Sequence, residues 1–383
     1  MARILYIVNQ RMPTEKAYGV QIAKMCEALA LGGLNVTLLI PQRGNPSGKT
    51  IFDYYGIKNN FKIIELRGLD FYWPGIFDKI AFLIKQTISA LVLVRIALRN
   101  KYDVIYSRDE LPIFLLSFFR KNLVFEAHRF SKKRNIFYRC FKKNNIKIIV
   151  ISQGLKDEFI RQGFNRKNIL VAPDGVDLEQ FKINKTQPEY RTILDLPLNK
   201  ILVLYTGHLY EWKGADMLLE AARSFQNREN ILFVFVGGTD FNVKDFRDRV
   251  KMMQLNNVMI VGFVPHNEVS LYLKAADILV LPNSGKEDIS RLYTSPLKMF
   301  EYMASGKPII ASDLPSIREV LTDYSAFFSR PDDAGSLITM INEVINNMPE
   351  AEKRAQLALQ EVVKYSWNAR AGNILDFISC QNN

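Results

Sequence analysis

The chain has 383 residues, of which 48% are hydrophobic, so it can bury more than one core and predicts two domains. Its three cysteines, Cys26, Cys140 and Cys380, are far apart and form no C-x-x-C pair, which argues against a disulfide framework or a cysteine zinc site and favours a reducing cytosol. The net charge of +12 is uneven, because residues 1–187 hold 31 Lys and Arg against 15 Asp and Glu, whereas the remainder holds 20 against 24.

The N-terminal part alternates short apolar runs with helical stretches. Arg3–Val8 and Val36–Ile40 predict buried strands, joined by a polar loop that ends near Gly19 and a helix over about 20–31. Gly19 could let the backbone approach a ligand, or it could be a simple turn glycine. Later runs of the same kind are Asp103–Ser107, Leu123–Phe125 and Lys147–Ile151. The alternation predicts a parallel doubly wound sheet.

The apolar segments of this part are short. The start Ile4–Val8 is too short for a secretory signal, and the best spanning candidate, Gln86–Val94, is enclosed by Lys85 and Arg95. A membrane span needs about 20 apolar residues. We therefore expect a soluble or peripheral protein.

Residues 120–147 combine basic and aromatic side chains around a single acid, Glu126. A run this basic is usually a solvated face. The mixture is also typical of a segment that lies on an anionic lipid leaflet, or of one that binds nucleic acid. Because no base-stacking motif accompanies the charge, we expect a membrane contact through 120–147 and no nucleic acid partner.

The second half repeats the alternation after a stretch at 182–198, whose Pro188 and Pro197 predict a linker. The apolar runs are Ile201–Tyr205, Ile231–Val236, Val258–Val264 and Ala276–Pro282. We therefore place the two domains at residues 1–187 and 188–365.

The stretch 290–320 contains the clearest candidate for a binding site. Ser295 as N-cap before Pro296 predicts a helix over about 296–305, and Gly306 predicts its end. The sequence therefore predicts a short, well-delimited helix near the end of the second alternating pattern.

This helix has one polar and one apolar face. On a helical wheel, Ser295, Lys298 and Glu301 lie together, and the opposite side is apolar. The helix N-terminus with these side chains suits a phosphate, and Glu301 could accept hydrogen bonds from the hydroxyls of an attached ribose. An ordinary capped surface helix explains the pattern equally well.

The block FEYMASGKPIIAS within this stretch resembles the most recognisable motif of the retaining glycosyltransferases of family 4, which have the GT-B fold. That fold has two Rossmann-like doubly wound parallel-sheet domains facing a cleft. The resemblance therefore implies an N-terminal acceptor-binding domain, a C-terminal nucleotide-sugar-binding domain, and a closing helix at 366–383 that packs back on the first. It covers nearly the whole chain and is strongest over 207–320.

The resemblance implies a donor site in the C-terminal half. Glu301 matches the second Glu of the family's Glu-x7-Glu motif, which holds the ribose, whereas Tyr293 stands where the first Glu touches the donor sugar. Lys213 matches the Lys of a G-R-L-x-x-x-K-G loop that binds the diphosphate, although it could also be a solvated Lys. His208 stands at the Arg position of that loop and is a weaker, pH-dependent cation. The residues implied to bind the nucleotide sugar are Gly207, His208, Gly262, Phe263, Tyr293, Thr294, Ser295, Lys298 and Glu301.

The resemblance also assigns residues in the N-terminal half. Glu126-Ala127-His128 matches an E-x-H element that places the His beside the donor sugar and the acceptor, although a His at a strand end is more often structural. We expect His128 and Lys213 to be catalytic, and Gly19 and Arg129 to contact the acceptor.

The resemblance implies a retaining sugar transfer from a nucleoside-diphosphate sugar to a hydroxyl of a saccharide. No D-x-D pair occurs in the sequence, so we expect basic side chains rather than a metal to neutralise the diphosphate, and no cofactor. We expect a lipid-linked acceptor, used in surface glycan assembly such as that of lipopolysaccharide, at the cytoplasmic face of the membrane. Two alternatives stay open. One is a sugar-nucleotide epimerase of the same fold, which needs acid and base carboxylates near the sugar and is disfavoured by Tyr293 in place of Glu. The other is a non-catalytic binding subunit, which Tyr293 and His208 keep open.

Overall fold

The computed structural model describes residues 1–45, 47–67, 78–182 and 185–379. Cys380 and the end of the predicted closing helix lie outside the described residues. The chain divides into two compact units. Unit 1 comprises Met1–Pro173 and the segment from Trp367 onward, and unit 2 comprises Asp174–Ser366.

Unit 1 is built on a seven-stranded parallel sheet in the order β3-β2-β1-β4-β5-β6-β7. Its strands are β1 (Arg3–Ile7), β2 (Asn35–Gln42), β3 (Lys62–Arg67), β4 (Val104–Ser107), β5 (Leu123–Ala127), β6 (Lys147–Val150) and β7 (Ile169–Val171). Its helices are α1 (Ala17–Leu31), α2 (Ile51–Tyr55), α3 (Asp78–Arg99), α4 (Glu110–Leu116), α5 (Asn135–Lys143), α6 (Gln153–Arg161) and, after unit 2, α16 (Trp367–Ser379). The strand order reverses between β1 and β4, so the loops after these strands lie where doubly wound sheets bind ligands.

The helices of unit 1 lie on both faces of its sheet. The crossovers from β1 to β3 run in one direction, and those from β3 through β4 and β5 to β6 run in the other. Since such crossovers are right-handed, α1 and α2 cover one face, and α3, α4 and α5 cover the opposite face. In agreement, α3 packs against α4, and α4 packs against α5.

The first helix begins before Gly19, so the prediction of a loop ending at this residue was wrong. Gly19 is buried in α1, and a β-carbon there would lie 2.1 Å from the Tyr55 hydroxyl oxygen. That hydroxyl donates to the Thr14 carbonyl at 3.0 Å and accepts from the Thr14 N–H at 2.8 Å. The missing side chain at Gly19 therefore lets α1 pack closely against α2.

The α3 helix is much longer than the predicted segment 86–94. It has 22 residues, and within the described ranges it is the one helix long and apolar enough to cross a membrane by length and composition. Helices that flank a protein core pass the same test. Ala90, Leu93 and Ala97 of α3 are indeed buried in unit 1, whereas the other side of the helix is exposed.

Unit 2 is built on a six-stranded parallel sheet in the order β10-β9-β8-β11-β12-β13. Its strands are β8 (Ile201–Thr206), β9 (Ile231–Val236), β10 (Val258–Gly262), β11 (Ile278–Leu281), β12 (Ile309–Ser312) and β13 (Phe327–Ser329). Its helices are α7 (Gln187–Ile193), α8 (Ala215–Ser224), α9 (Asp240–Met252), α10 (Val269–Ala275), α11 (Asp288–Arg291), α12 (Leu297–Ser305), α13 (Pro315–Arg318), α14 (Ala334–Asn346) and α15 (Met348–Glu361). Leu202 and Leu204 pack on one face of the sheet, and Val203 and Tyr205 pack on the other, so both faces are apolar.

The units divide after Pro173, whereas the predicted boundary lies between residues 187 and 188. The difference has a physical reason, because Val176 and Phe181 are buried in the apolar core of unit 2. The segment that leads out of the first sheet is therefore packed as part of the second unit.

The predicted linker also contains a helix. Pro188 occupies the first turn of α7, where its missing N–H breaks no helical hydrogen bond. Tyr190 and Arg191 of this helix are buried, and the Arg191 guanidinium pairs with Asp277 at 2.6 Å. Pro188 thus marks the start of a packed helix rather than a flexible connection, and Pro197 follows the end of that helix.

Candidate functional site

The loop after β8 runs from Gly207 to Gly214 and needs glycine at both ends. Gly207 has a φ of 122°, and a β-carbon there would lie 3.8 Å from Lys298 Nζ. Gly214 has a φ of 73°, and a β-carbon would come within 1.6 Å of the Pro282 carbonyl oxygen. The loop is therefore held against the carboxyl end of β11, and α8 begins directly after it at Ala215.

The α12 helix begins at Leu297 with Pro296 as its N-cap, so the prediction that Ser295 caps it was wrong. The buried Ser295 hydroxyl instead accepts a hydrogen bond from the Asp174 N–H at 2.9 Å. The predicted end was correct, since Gly306 follows the helix with a φ of 68°. Ser295 therefore ties the start of unit 2 to the segment before α12.

Lys298, on the first turns of α12, is a buried cation. Its Nζ lies 3.9 Å from the centre of the Tyr205 ring, and among the described residues this nitrogen has no hydrogen-bond acceptor. Burial lowers the pKa of Lys298 well below its usual range, the Lys213 charge lowers it further, and Glu301 partly opposes both. A buried ammonium group without an acceptor is costly, so this position favours an anionic ligand.

Lys213 lies at the end of the Gly207–Gly214 loop, and its charge is felt by Lys298. Its Nζ lies 5.0 Å from the centre of the Trp212 ring, and the side chain is half-buried. Burial lowers the pKa of Lys213, whereas Glu301 raises it. Two lysines therefore converge from the β8 loop and from α12, and this arrangement suits a phosphate group.

Glu301 lies one turn beyond Lys298 and is held by a residue that sequence reasoning missed. His266 Nε2 lies 2.8 Å from Glu301 Oε1, in a short turn that follows β10. The sequence signal was faint: His266 comes two residues after the predicted strand Val258–Val264. His266 thus holds the Glu301 carboxylate near Lys213 and Lys298, where it can accept hydrogen bonds from the hydroxyls of a ligand.

The other residues predicted to bind a nucleotide sugar lie at the same sheet edge of unit 2. Gly262 ends β10 with a φ of 95°, and its carbonyl accepts from the Gly237 N–H at 2.6 Å. Phe263 is exposed, and the His208 ring stacks on Tyr210 with centroids 5.0 Å apart.

Two further residues of the predicted set come just before α12. Tyr293 and Thr294 are half-buried in the segment between α11 and α12. The contacts of the whole predicted set with a nucleotide sugar stay predictions.

Unit 1 holds a second buried charged cluster, centred on Glu126 at the end of β5. The carboxylate accepts hydrogen bonds from Gln21 Nε2 at 2.7 Å, from Arg370 Nη2 at 2.9 Å and from the Tyr106 hydroxyl, and it pairs with His128 Nε2 at 2.6 Å. Burial alone raises the pKa of Glu126, but the Arg370 charge and the hydrogen bond with His128 outweigh it and hold the pKa well below its usual range.

His128 lies at the rim of this cluster, with 21% of its side chain exposed. Arg129 beside it is exposed, whereas Gly19 is buried against Tyr55. The roles of these residues toward an acceptor stay predictions. Sequence reasoning missed Arg370, and the one available signal was that a buried strand Glu needs a partner.

Two parallel doubly wound sheets, each with polar groups at its carboxyl edge, define an α/β protein of the GT-B fold, as predicted. The Anabaena protein HepE, solved in complex with UDP and glucose, has a similar structure with a TM-score of 0.77 and 18% sequence identity. The similarity covers 99% of this chain and 100% of HepE. At this identity the likeness shows the fold alone.

The chain belongs to the group 1, family 4 glycosyltransferases, which confirms the predicted resemblance. The family described as Glycosyltransferase Family 4 matches residues 19–180, and the family described as Glycosyl transferases group 1 matches residues 186–360. The two matches meet near the start of α7.

Similar proteins assemble different glycans or glycosides. The amylovoran biosynthesis glycosyltransferase AmsK of Erwinia amylovora is 25% identical over 224 residues, which is 56% of this chain and 51% of AmsK. D-inositol 3-phosphate glycosyltransferase 1 of Catenulispora acidiphila is 24% identical over 212 residues, covering 52% of this chain and 49% of the relative. The chain therefore matches about half the length of these relatives.

Proposed function

We propose that the protein is a retaining glycosyltransferase that moves a hexosyl unit from a nucleoside-diphosphate sugar to a hydroxyl of a saccharide acceptor. The observation that carries the proposal is Lys298, a buried ammonium group that lies beside Lys213 in unit 2 and has no acceptor among the residues that the structure describes. Family membership, and the UDP bound to the structurally similar HepE, support a nucleotide sugar as the anion that Lys298 binds.

The donor would be held at the edge of the unit 2 sheet. The diphosphate takes the place between Lys213 and Lys298, beside the open backbone at Gly207. Glu301, fixed by His266, accepts hydrogen bonds from the ribose hydroxyls. Gly262 and Phe263 flank the nucleobase, and Tyr293 and Thr294 lie toward the sugar.

The chemical step would depend on stabilising the leaving diphosphate. A desolvated donor aimed at developing charge contributes about 3–4 kcal/mol, whereas a helix N-terminus contributes about 0.3–1 kcal/mol. Lys213 and Lys298 therefore carry most of the leaving-group stabilisation, without help from a metal. The acceptor hydroxyl enters on the face from which the diphosphate leaves, and this route retains the anomeric configuration.

The acceptor would be a lipid-linked saccharide in surface glycan assembly at the cytoplasmic face of a membrane. The amylovoran biosynthesis role of AmsK supports a glycan product. The basic stretch 120–147 supports contact with an anionic membrane. His128 and Arg129 follow β5 at the carboxyl edge of the unit 1 sheet, where an acceptor would bind.

The proposal is tested by offering UDP-, GDP-, ADP- and dTDP-sugars to the purified protein. We expect one nucleotide family to raise the melting temperature and to be hydrolysed slowly, with and without a chelator. Lys298→Met, which removes the charge but keeps an unbranched side chain, should weaken this stabilisation by the donor.

The outcomes separate the alternatives. No stabilisation by any donor at high concentration would leave the protein without a nucleotide-sugar site and would favour a non-catalytic subunit. Hydrolysis that stops in chelator would overturn metal independence, and conversion of the donor into its epimer would favour an epimerase.

A further inference from the structure

The α3 helix exposes an apolar surface that the core of unit 1 does not use. Six aliphatic side chains of this helix are more than a third exposed, and we call them the α3 face: Ile80, Leu83, Ile84, Ile88, Leu91 and Val92. At about 100° per residue they lie on one side of the helix, opposite the buried Ala90, Leu93 and Ala97. An apolar surface this continuous marks an interaction site.

The face continues onto the next helix of the same layer. Phe118 and Phe119, which follow the C-cap residue of α4, are 62% and 68% exposed. Phe118 packs edge-on against Phe114 of α4, and Phe114 stacks on Phe137 of α5. The apolar surface of α3 and the basic α5 are therefore parts of one helical layer, on one face of the unit 1 sheet.

Exposed cations surround this apolar surface. Lys79, Arg95 and Arg99 are exposed on α3, and Arg139 and Lys143 are exposed on α5. Because the residues of unit 1 include 30 Lys and Arg against 13 Asp and Glu, the whole unit attracts anions. An aliphatic centre with a cationic border matches the chemistry of an anionic lipid leaflet.

The helix is too firmly part of unit 1 to cross a membrane. The Asn9 side chain donates to the Gln86 carbonyl of α3 at 2.9 Å, and the Arg120 guanidinium donates to the Leu98 carbonyl at 3.0 Å. With one side buried and its backbone tied to the domain, α3 can present only its exposed side to lipid.

We propose that the protein docks on anionic membranes by laying the α3 face, with Phe118 and Phe119, into the leaflet while the cations of α5 contact the headgroups. The inference deepens the proposed function, because it gives a lipid-linked acceptor a surface on which to meet the enzyme. A two-fold dimer through the same face would oppose identical cationic borders, and aliphatic side chains do not stack on bases.

Flotation tests the proposal with the full chain and vesicles of phosphatidylglycerol mixed with phosphatidylcholine. We expect the protein to float with the mixed vesicles and to remain at the bottom with pure phosphatidylcholine. Leu83→Glu with Leu91→Glu should reduce the floating fraction at least about tenfold, because two charges then enter the apolar layer. Arg139→Glu with Lys143→Glu should also reduce it, and this loss should be greater at low salt.

Phe241→Glu is the matched control, since this side chain of unit 2 is 81% exposed and lies outside the proposed surface. It should float like the unmodified protein. An unchanged melting temperature of each variant confirms that the fold is intact. Flotation that survives the α3 substitutions overturns the proposal, as does a loss that Phe241→Glu causes equally.

Two further readouts identify a different occupant. A change in sedimentation coefficient caused by Leu83→Glu with Leu91→Glu in the absence of vesicles would assign the face to a second copy and overturn the proposal. Salt-sensitive retention of RNA without flotation would assign the surface to a nucleic acid and would also overturn the proposal. The donor screen is independent of flotation. If the protein hydrolyses a sugar nucleotide but never floats, only the membrane inference is overturned. If it floats but binds no donor, only the proposed function is overturned.

Discussion

Each unit of the molecule buries a charged side chain at the carboxyl edge of its sheet, but the hydrogen-bond partners of that side chain differ between the two units. Glu126 in unit 1 is surrounded by donors from Gln21, Tyr106 and Arg370 and pairs with His128. Lys298 in unit 2 is also buried, and among the described residues its Nζ lacks an acceptor. A buried charge whose hydrogen-bond partners are protein groups supports the fold, whereas a buried charge without such a partner indicates a ligand.

The largest expected effect comes from breaking the satisfied cluster. Glu126→Gln leaves the buried Arg370 guanidinium without its counter-charge, and we expect the free energy of unfolding to fall by about 3–5 kcal/mol. Glu15→Gln is the control in the same unit, since its pair with Arg11 is partly exposed and contributes at most about 1 kcal/mol. Urea unfolding measures both values, and equal losses in the two variants would contradict the structural role of Glu126.

The same cluster also predicts a pH dependence. Because the pKa of Glu126 is depressed in the folded protein, its stabilisation is present above the ordinary carboxyl pKa and is lost as the pH falls toward the folded-state value. The unmodified protein and Glu126→Gln should therefore become more alike in stability as the solution is acidified. A gap that widens in acid would reverse the assigned sign.

The next effect comes from removing the cation of the β8 loop. Lys213→Ala should lower turnover at least about a hundredfold, because a charged donor to the leaving group is lost. The melting temperature should stay unchanged, since the side chain is only half-buried. Lys244→Ala, at an exposed position of α9, should leave turnover unaffected. A folded Lys213→Ala enzyme with normal turnover would remove Lys213 from the mechanism.

Lys298→Met sharpens the comparison because its two effects have opposite signs. Donor affinity should fall about 10- to 100-fold, as expected for losing a hydrogen bond to a charged group. The stability of the free protein should stay equal or rise, because a buried charge without an acceptor has been removed. Isothermal calorimetry and thermal unfolding measure the two, and a large loss of stability would show that Lys298 has a structural partner.

Lys298 should also make donor binding depend on pH. Its pKa is lowered in the free protein, and a bound diphosphate favours its charged form, so binding takes up a proton as the pH rises through the lowered pKa. Affinity should therefore decrease on the alkaline side, and calorimetry in buffers of different ionisation enthalpy should detect the uptake. The Lys298→Met variant should take up fewer protons on binding, and the remaining uptake comes from Lys213, whose pKa is also lowered.

The smallest expected effect concerns His266. His266→Ala should raise the KM for the donor about 2- to 10-fold with little change in kcat, because His266 positions Glu301 and a typical hydrogen bond contributes about 0.5–1.5 kcal/mol. His266→Gln, which keeps a donor, should restore part of the affinity. A fall in kcat at unchanged KM would assign His266 to the chemical step instead.

The sequence was sufficient for features that are local along the chain. Apolar runs and helical stretches predicted both sheets, and Gly306 predicted the end of α12. Three features escaped because they depend on partners far away in sequence. The Ser295 hydroxyl accepts from a residue 121 positions away, His266 holds Glu301 across 35 positions, and Arg370 meets Glu126 across 244. Local capping rules and helical wheels contain no information on such pairs.

Exposure was the other limit of sequence reasoning. The apolar segment around 86–94 looked too short to matter, and the basic stretch 120–147 carried the membrane prediction by itself. Only the order of the strands shows that α3 and α5 lie on the same face of the sheet. A surface formed by helices from several crossovers therefore cannot be predicted from the sequence of one helix alone.

The position of α16 has a consequence for biosynthesis. A chain emerges from the ribosome at about 5–20 residues per second, and N-terminal domains generally fold first. Here Arg370 and the backbone carbonyls that accept hydrogen bonds from Lys147 belong to α16, which follows unit 2, so unit 1 is completed only after unit 2 has been translated. A premature stop codon before α16 would leave every strand of both sheets intact and still deprive Glu126 of its guanidinium partner. Quality control by proteases would then recognise unit 1, although the missing piece follows the whole of unit 2 in the sequence.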